Sequence, residues 1–310
     1  MDWHVVVGTC RGLVCIAGPL LITEDEIWVK FWNPATRIVF ERSPTLHRSA
    51  NLTMDFGFGY DYKTEAYKVV ALIANWLAEE DSKKARMKVF TIGDSCWRDM
   101  GIFPALPIAG TPTHKNDGVY INGTLNWLAL CNFGDDNAWE VVDSVDQLII
   151  SSLDFGKETY KQFGVPAGLD ELSEHMPVLG VLRDCLYLSH DYKTSHFVFW
   201  QTNEFGNAAS WTQLFNVTYQ HLQLDGFSLE QACHPLVPMC MSENGDVVVL
   251  LSKEDEAVIL YDFKNDIVEL YDIPGDEVWL NPKDYAESLV NKLLRKAYCL
   301  DAQLFYMRIL

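Results

Sequence analysis

The sequence predicts an all-β fold, a β-propeller of five recognisable four-stranded units with an incomplete sixth, closed by a C-terminal helix. Three observations predict it. A strand–turn–strand pattern recurs five times, a second hairpin precedes each recurrence, and no helical periodicity is sustained before about residue 280.

The recurring segments are "VKFWNPATRIVFERSP" (29–44), "KVFTIGDSCWRDMGIFP" (88–104), "IISSLDFGKETYKQFGVP" (149–166), "FVFWQTNEFGNAASWTQLFNV" (197–217) and "VILYDFKNDIVELYDIP" (258–274). Each runs through an apolar strand, a polar turn and a second short strand that often ends in Pro. The repeat is roughly 45 to 65 residues long, which fits propeller blades better than helical solenoids. Before each segment lies a strand pair: "GTCRGLVCIA", "FGFGYDYKTEAYKVVAL", "VYINGTLNWLAL", "VLGVLRDCLYLSH" and "MCMSENGDVVVLL". Asn122-Gly123 and the Asn244-Gly245-Asp246 run supply the positive φ that tight hairpins need. Two hairpins make a four-stranded antiparallel unit, and such units arrange radially in propellers. In "KFWNPATRIVF" (30–40) the aromatics end a third strand, Asn33 to Thr36 form the turn, and Arg37 starts the outer strand, where Pro34 has no ladder bond to donate. The corner is read as structural rather than catalytic.

With 49% hydrophobic and 13% aromatic residues in 310, the chain can bury a sizeable core. The net charge of −19, with 24 Lys and Arg against 43 Asp and Glu, argues against nucleic acid or anionic membrane as partner, because counterion release needs clustered cations. The apolar start "HVVVGTCRGLVCIAGPLLI" is broken by glycines, Arg11 and Pro19, so it reads as strands rather than a leader or anchor. Eight cysteines without a C-x-x-C pair sit mostly in apolar runs, as reduced thiols do, which points to cytosol or nucleus. The sequons at Asn51, Asn122 and Asn216 then read as chance matches.

The ordered motifs "GTCRGLVCIA", "FWNPATR", "FGFGYDYKTEAYKVV", "VFTIGDSCWRDM", "YINGTLNWLA", "IISSLDFGKETYKQF", "LGVLRDCLYLSHD" and "SWTQLFNV" cover about residues 5 to 275. Together they resemble the plant F-box associated domain, the kelch-related substrate-binding half of many plant F-box proteins. The resemblance implies a kelch-like propeller domain that presents protein substrates to a Skp–cullin–RING ubiquitin ligase, without chemistry or a cofactor of its own. The chain opens almost directly at "GTCRGL". The F-box itself is therefore expected to be absent, and a Skp-type adaptor is expected only where an F-box is supplied upstream. The tail after "YAESLV" departs from the family pattern. There Leu289, Leu293, Ala297, Leu300 and Leu304 fall at helical spacing, giving a division into a propeller domain over 1–282 and an amphipathic tail over 283–310 that covers an unpaired strand edge.

Name the strands of a unit A to D, inner to outer. The A–B and C–D turns then lie at one end of the strands and the B–C and D–A links at the other. The first set is mostly tight. The second is long, including "ANWLAEEDSKKAR", "CNFGDDNAWEVVDSVD" and the stretches 43–54, 102–117, 164–177 and 215–237. Long loops on a rigid scaffold carry recognition. Trp76, Phe133, Trp139 and Tyr192 are large aromatics outside the strand alternation, and Asp135, Asp136, Glu79 and Glu80 flank the tryptophans. These residues are expected to bind a protein substrate, with Trp76 and Trp139 as anchors and a basic or amphipathic partner favoured by the acids. The same aromatics are also read as ordinary caps on the core.

Chemical motifs are weak. "SSLDFGKETY" resembles the Asp-box of sialidases with one residue inserted, but that box is itself a hairpin turn, and the nine arginines are too scattered to clamp a carboxylate. "FGFGY" leads into a strand, so it lacks the helix N-terminus of a phosphate loop. The eight histidines show no zinc spacing, and His190 and His196 merely flank "DYKTS". No catalytic, metal or cofactor residue is expected. A carbohydrate-binding or sialidase-like propeller is the alternative reading, and it requires aromatics and carboxylates converging near the axis.

Overall fold

The computed structural model describes residues 4–18, 26–47, 52–75, 85–108, 117–131, 144–169, 172, 176–192, 195–202, 204–222, 236–252 and 257–272. They form five antiparallel sheets in chain order. The first holds β1 (Val5–Cys10), β2 (Leu13–Gly18), β3 (Glu26–Asn33) and β4 (Ile38–Val39), with β5 (Leu46–His47) paired to the start of β3. The second holds β6 (Leu52–Asp61), β7 (Ala66–Asn75), β8 (Ala85–Thr91) and β9 (Arg98–Ile102). In the third, β10 (Leu106–Pro107) and β11 (Val119–Ile121) both pair with β12 (Thr124–Leu130), followed by β13 (Leu148–Asp154) and β14 (Thr159–Gly164). The fourth is β15 (Val178–Leu182), β16 (Cys185–Tyr192), β17 (His196–Thr202) and β18 (Trp211–Thr218). The fifth is β19 (Val237–Met241), β20 (Val247–Ser252), β21 (Ala257–Asp262) and β22 (Ile267–Asp272).

The fold is all-β, with five four-stranded blades in the A-to-D order expected, and each paired hairpin in the sequence is one blade. Burial explains how the residue patterns differ along a blade. Second strands such as "TLNWLAL" and "CLYLSHDY" are buried on both faces, so they read as continuous runs. Third strands such as "AVILYD" alternate, and outer strands such as "RDMGI" are largely exposed. No sixth blade forms among the described residues, and the expected C-terminal helix lies outside them. The described residues fall into two compact units. One, within 1–141 and 150–162, holds the first three sheets apart from the ends of β13 and β14; the other, within 142–149 and 163–279, holds the last two.

Inside the first unit the innermost strands approach closely. Phe56 and Phe58 point from β6 into a core with Val7, Cys15, Val29, Phe31 and Phe90. The alternate residues are glycines. A Cβ on Gly57 would lie 2.9 Å from Leu125 Cδ1, and one on Gly59 would overlap the Tyr120 ring. Backbone bonds stitch the same approach, with the Gly118 amide donating to the Phe56 carbonyl at 2.6 Å and the Phe56 amide donating to Asp117 Oδ1 at 3.2 Å. Trp127 lies over Gly118, 2.6 Å from where a Cβ would sit. "FGFGY" is thus a packing code, large on one face and absent on the other. The second unit repeats part of the device: the Tyr187 ring covers Gly180, its partner in register, and its hydroxyl donates to the Pro238 carbonyl at 3.4 Å.

Two turn designs recur. In the two-residue hairpins both residues take positive φ: Arg11 and Gly12 at 46° and 81°, Asn122 and Gly123 at 47° and 84°, Arg183 and Asp184 at 52° and 58°. In the four-residue corners an Asn or Asp side chain accepts amides two or three residues on, and a non-glycine residue at positive φ closes the turn. Asn33 Oδ1 accepts from Thr36 (3.2 Å) with Arg37 at 59°, and Asp61 Oδ1 accepts from Lys63 (2.8 Å) with Glu65 at 54°. Asp154 Oδ1 accepts from Lys157 (2.9 Å) with Glu158 at 54°, and Asp262 Oδ1 accepts from Asn265 (2.9 Å) with Asp266 at 59°. Arg37 therefore closes its turn, and the outer strand begins at Ile38, one residue later than the sequence reading placed it. The Asp-box-like "SSLDFGKETY" is the same corner.

Backbone geometry sets the expected outcome of three substitutions. Gly59→Ala is expected to lose about 1–3 kcal/mol in urea unfolding, because the Tyr120 ring is held by its hydroxyl bond to the Tyr60 carbonyl at 2.6 Å. Gly156→Ala, whose Cβ would meet nothing nearer than Lys63 Cβ at 3.5 Å, should be close to neutral in the same assay. Asp184→Gly is expected to gain about 0.5–1 kcal/mol by relieving a left-handed backbone position that the two matching turns give to glycine.

Candidate functional site

Five of the six residues the sequence nominated for partner binding, Trp76, Phe133, Asp135, Asp136 and Trp139, lie outside the described residues. The sixth, Tyr192, is the last residue of β16 rather than a loop residue. It is half-buried and opposite His196 in register, and the two rings stack at 4.7 Å. Ser195 Oγ donates to the Tyr192 carbonyl at 2.8 Å and lies 2.8 Å from His196 Nδ1. The hydroxyl's single proton is thus directed at a carbonyl, which makes it a turn lock rather than a nucleophile. Burial pulls the His196 imidazole below its usual range, so the ring is neutral at pH 7. Beneath it the Tyr219 hydroxyl donates to buried Asp191. The described residues of this strand end form a polar cap that leaves Tyr192 partly exposed.

The electrostatic centre of the first unit lies at its β6–β7 corner, where the sequence predicts only a turn. Lys68 and Asp61 form an ion pair of 2.7 Å with side chains 8% and 1% exposed. Glu158 Oε1 stands 3.9 Å from the same ammonium and also pairs with Arg98. Burial alone would raise the Asp61 carboxyl. Hydrogen bonds from Lys68, Thr64 and the Lys63 amide, with the Lys68 charge, outweigh it and bring the pKa down to about 2. No sequence motif announces the pair. The signal available was a Lys at a β7 position whose neighbours are apolar, facing the first residue of the turn. In the second unit Thr218, Gln220, His221, Asp266 and Val268 line an open cleft of about 470 Å³, and His221 Nε2 contacts Asp266 Oδ1 at 2.9 Å.

No group of three or more His, Cys, Asp or Glu among the described residues could hold a metal ion. No helix among them is long and apolar enough to cross a membrane. Of the cysteines, Cys10, Cys15, Cys96, Cys131, Cys185 and Cys240 are unbridged. Burial raises the Cys10 thiol to about 12, and burial together with the Asp117 charge pushes Cys15 well up, so neither is a nucleophile at neutral pH.

The Asp61–Lys68 pair yields a stability prediction. Asp61→Asn leaves a buried ammonium with only the half-exposed Glu158 nearby and is expected to cost about 3 kcal/mol in chemical denaturation at pH 7. A second change, Lys68→Met, should recover much of the loss. The carboxyl's folded pKa is depressed, so its contribution is present above pH 4 and disappears as pH falls toward about 2. The Asn variant should lack that part of the acid limb.

The chain is 28% identical over 218 residues to an F-box/kelch-repeat protein of Arabidopsis thaliana, covering 70% of this chain and 53% of that protein. It is 27% identical over 162 residues to an F-box protein of the same plant, covering 52% of this chain and 32% of that one. The chain thus spans about half the length, or less, of these curated relatives. Among solved structures, the GH93 alpha-L-arabinofuranosidase of Fusarium graminearum in complex with arabinobiose aligns at a TM-score of 0.49 and 7% identity, over 92% of this chain and 83% of that one. The family profile described as F-box associated beta propeller domain matches residues 4–291, and the chain belongs to that family.

Proposed function

We propose that the chain is a protein-interaction module, the substrate-recognition domain of a Skp–cullin–F-box type ubiquitin ligase. The observation that carries this reading is the family match over residues 4–291, with relatives that are themselves F-box proteins. In this reading the blades hold their turns rigid and perform no chemistry. The links between second and third strands and between blades bind a basic or amphipathic protein, with Trp76, Phe133 and Trp139 as apolar anchors among Asp135 and Asp136. Tyr192, fixed by its stack on His196, adds a pre-ordered contact. An F-box joined upstream supplies the Skp-type adaptor contact, and the module works in the cytosol or nucleus, where its thiols stay reduced.

Affinity capture from plant extract tests the reading, with the chain as bait and quantitative comparison of captured proteins. Trp76→Ala/Trp139→Ala is expected to lose its specific partners by about tenfold or more, the scale of a hot-spot pair. A capture profile unchanged by the double substitution, or selective binding on a glycan array in place of protein partners, would reject it.

A further inference from the structure

A second surface, at the tight-turn ends of the first unit's strands, carries a cation–aromatic cluster that the reading above does not use. Arg11 is exposed in the β1–β2 turn, with its guanidinium 4.3 Å from the centroid of the Tyr60 ring and 5.6 Å from that of Tyr62. The two tyrosines meet edge to face at 5.3 Å. Their supports are built in. The Tyr67 hydroxyl donates to the Arg11 carbonyl at 3.2 Å, and the Tyr120 hydroxyl donates to the Tyr60 carbonyl at 2.6 Å. Tyr62 is 58% exposed and lies against the backbone of Gly123, where a Cβ would be 3.6 Å from the ring. Beside it, exposed Lys63 donates from Nζ to the Gly156 carbonyl at 3.0 Å. Turns of all three sheets therefore meet at this cluster.

Its cations are open to solvent. Neither Arg11 nor Lys63 forms an ion pair with a carboxylate among the described residues, although Asp154 Oδ1 and Asp61 Oδ1 lie 3.6 and 3.7 Å from the Gly156 Cβ position that Lys63 Cβ approaches at 3.5 Å. What sets Arg11 apart is its seat over two tyrosine rings, which fixes an exposed cation in a chain of net charge −19. A guanidinium stacked on ring faces keeps its in-plane N–H fork available for two-pronged binding of a carboxylate. Holding it there beforehand removes part of the ordering cost of binding. The geometry points to a docking site for an acidic peptide segment of a partner protein, a run of Asp and Glu side chains. Arg11 clamps one carboxylate, Lys63 meets a second, and Tyr62 supports the side-chain stems. This site is independent of the substrate-binding links, which leave the opposite ends of the strands.

The test is calorimetric titration of the full chain with a short amidated polyglutamate peptide and with polyglutamine of equal length. Near physiological salt the screening length is about 8 Å, so carboxylates farther than that from the cluster contribute little to the titration. Polyglutamate is expected to bind saturably and polyglutamine not at all. Arg11→Gln and Tyr62→Ala should each weaken binding about tenfold, and Lys63→Gln, an exposed change that leaves the Arg11 turn intact, severalfold. Arg86→Gln, on the outer part of the second sheet, should leave binding unchanged, as should Trp76→Ala/Trp139→Ala. Absence of saturable polyglutamate binding, equal binding by the Arg11, Tyr62 and Lys63 variants, or loss in the tryptophan variant would overturn the assignment.

Discussion

The close approach of the innermost strands is the constraint on which the first unit depends. Blades pack face to face, and near their inner edge the separation leaves room for side chains from one surface only. Along β6 this produces a strict alternation, Phe56 and Phe58 on one side and Gly57 and Gly59 on the other, with Leu125, Trp127 and Tyr120 filling the space the glycines vacate. Interiors packed at crystal-like density respond to a single added carbon. The glycines therefore set the inter-blade distance as firmly as the backbone bonds from Gly118 and Phe56 do. Blade-to-blade hydroxyl bonds, such as Tyr120 to the Tyr60 carbonyl, are possible only at that distance.

Turn chemistry converts this packing into a surface. A corner in which Asp or Asn holds two amides and a left-handed residue closes the chain is compact, so nearby side chains emerge at fixed angles. Asp61 serves twice, capping its own turn through Oδ1 and pairing with Lys68 through Oδ2. That double use keeps a lysine buried among apolar neighbours and draws Glu158 and Arg98 into one network. Burial of an ammonium is tolerated only with such pairing. The same corner presents Tyr62 and Lys63 next to Arg11, so the support and the exposed patch share one origin.

The five described blades, their strand order and most turns are legible in the sequence because they rest on local signals, namely period-two alternation, Asn-Gly pairs and Pro at strand ends, whereas the expected incomplete sixth blade has no counterpart among the described residues. Failures arose where the deciding interaction was non-local or the residue type gave no warning. Arg37 was placed on a strand because a left-handed arginine has no compositional mark, although Glu65, Glu158 and Asp266 occupy the equivalent position in other corners. The inner strand of the third sheet is shared between β10 and β11, a split that only their common pairing with β12 reveals. Tyr192 was assigned to a loop, yet its register with His196 keeps it in the ladder. The Arg11 cluster is not legible in the sequence because its members come from turns about fifty to a hundred residues apart, each an ordinary hairpin on its own.

The two ends of the strands thus face different physical demands. At one end short turns are fixed by backbone bonds and left-handed residues, so few side chains vary without strain, and those exposed are held in place before any partner arrives. At the other end the links are longer in sequence. A rigid end binds with little ordering cost but small adaptability, and a variable end has the reverse balance. The strongly acidic composition confines any attraction of an acidic segment to short range around Arg11 and Lys63.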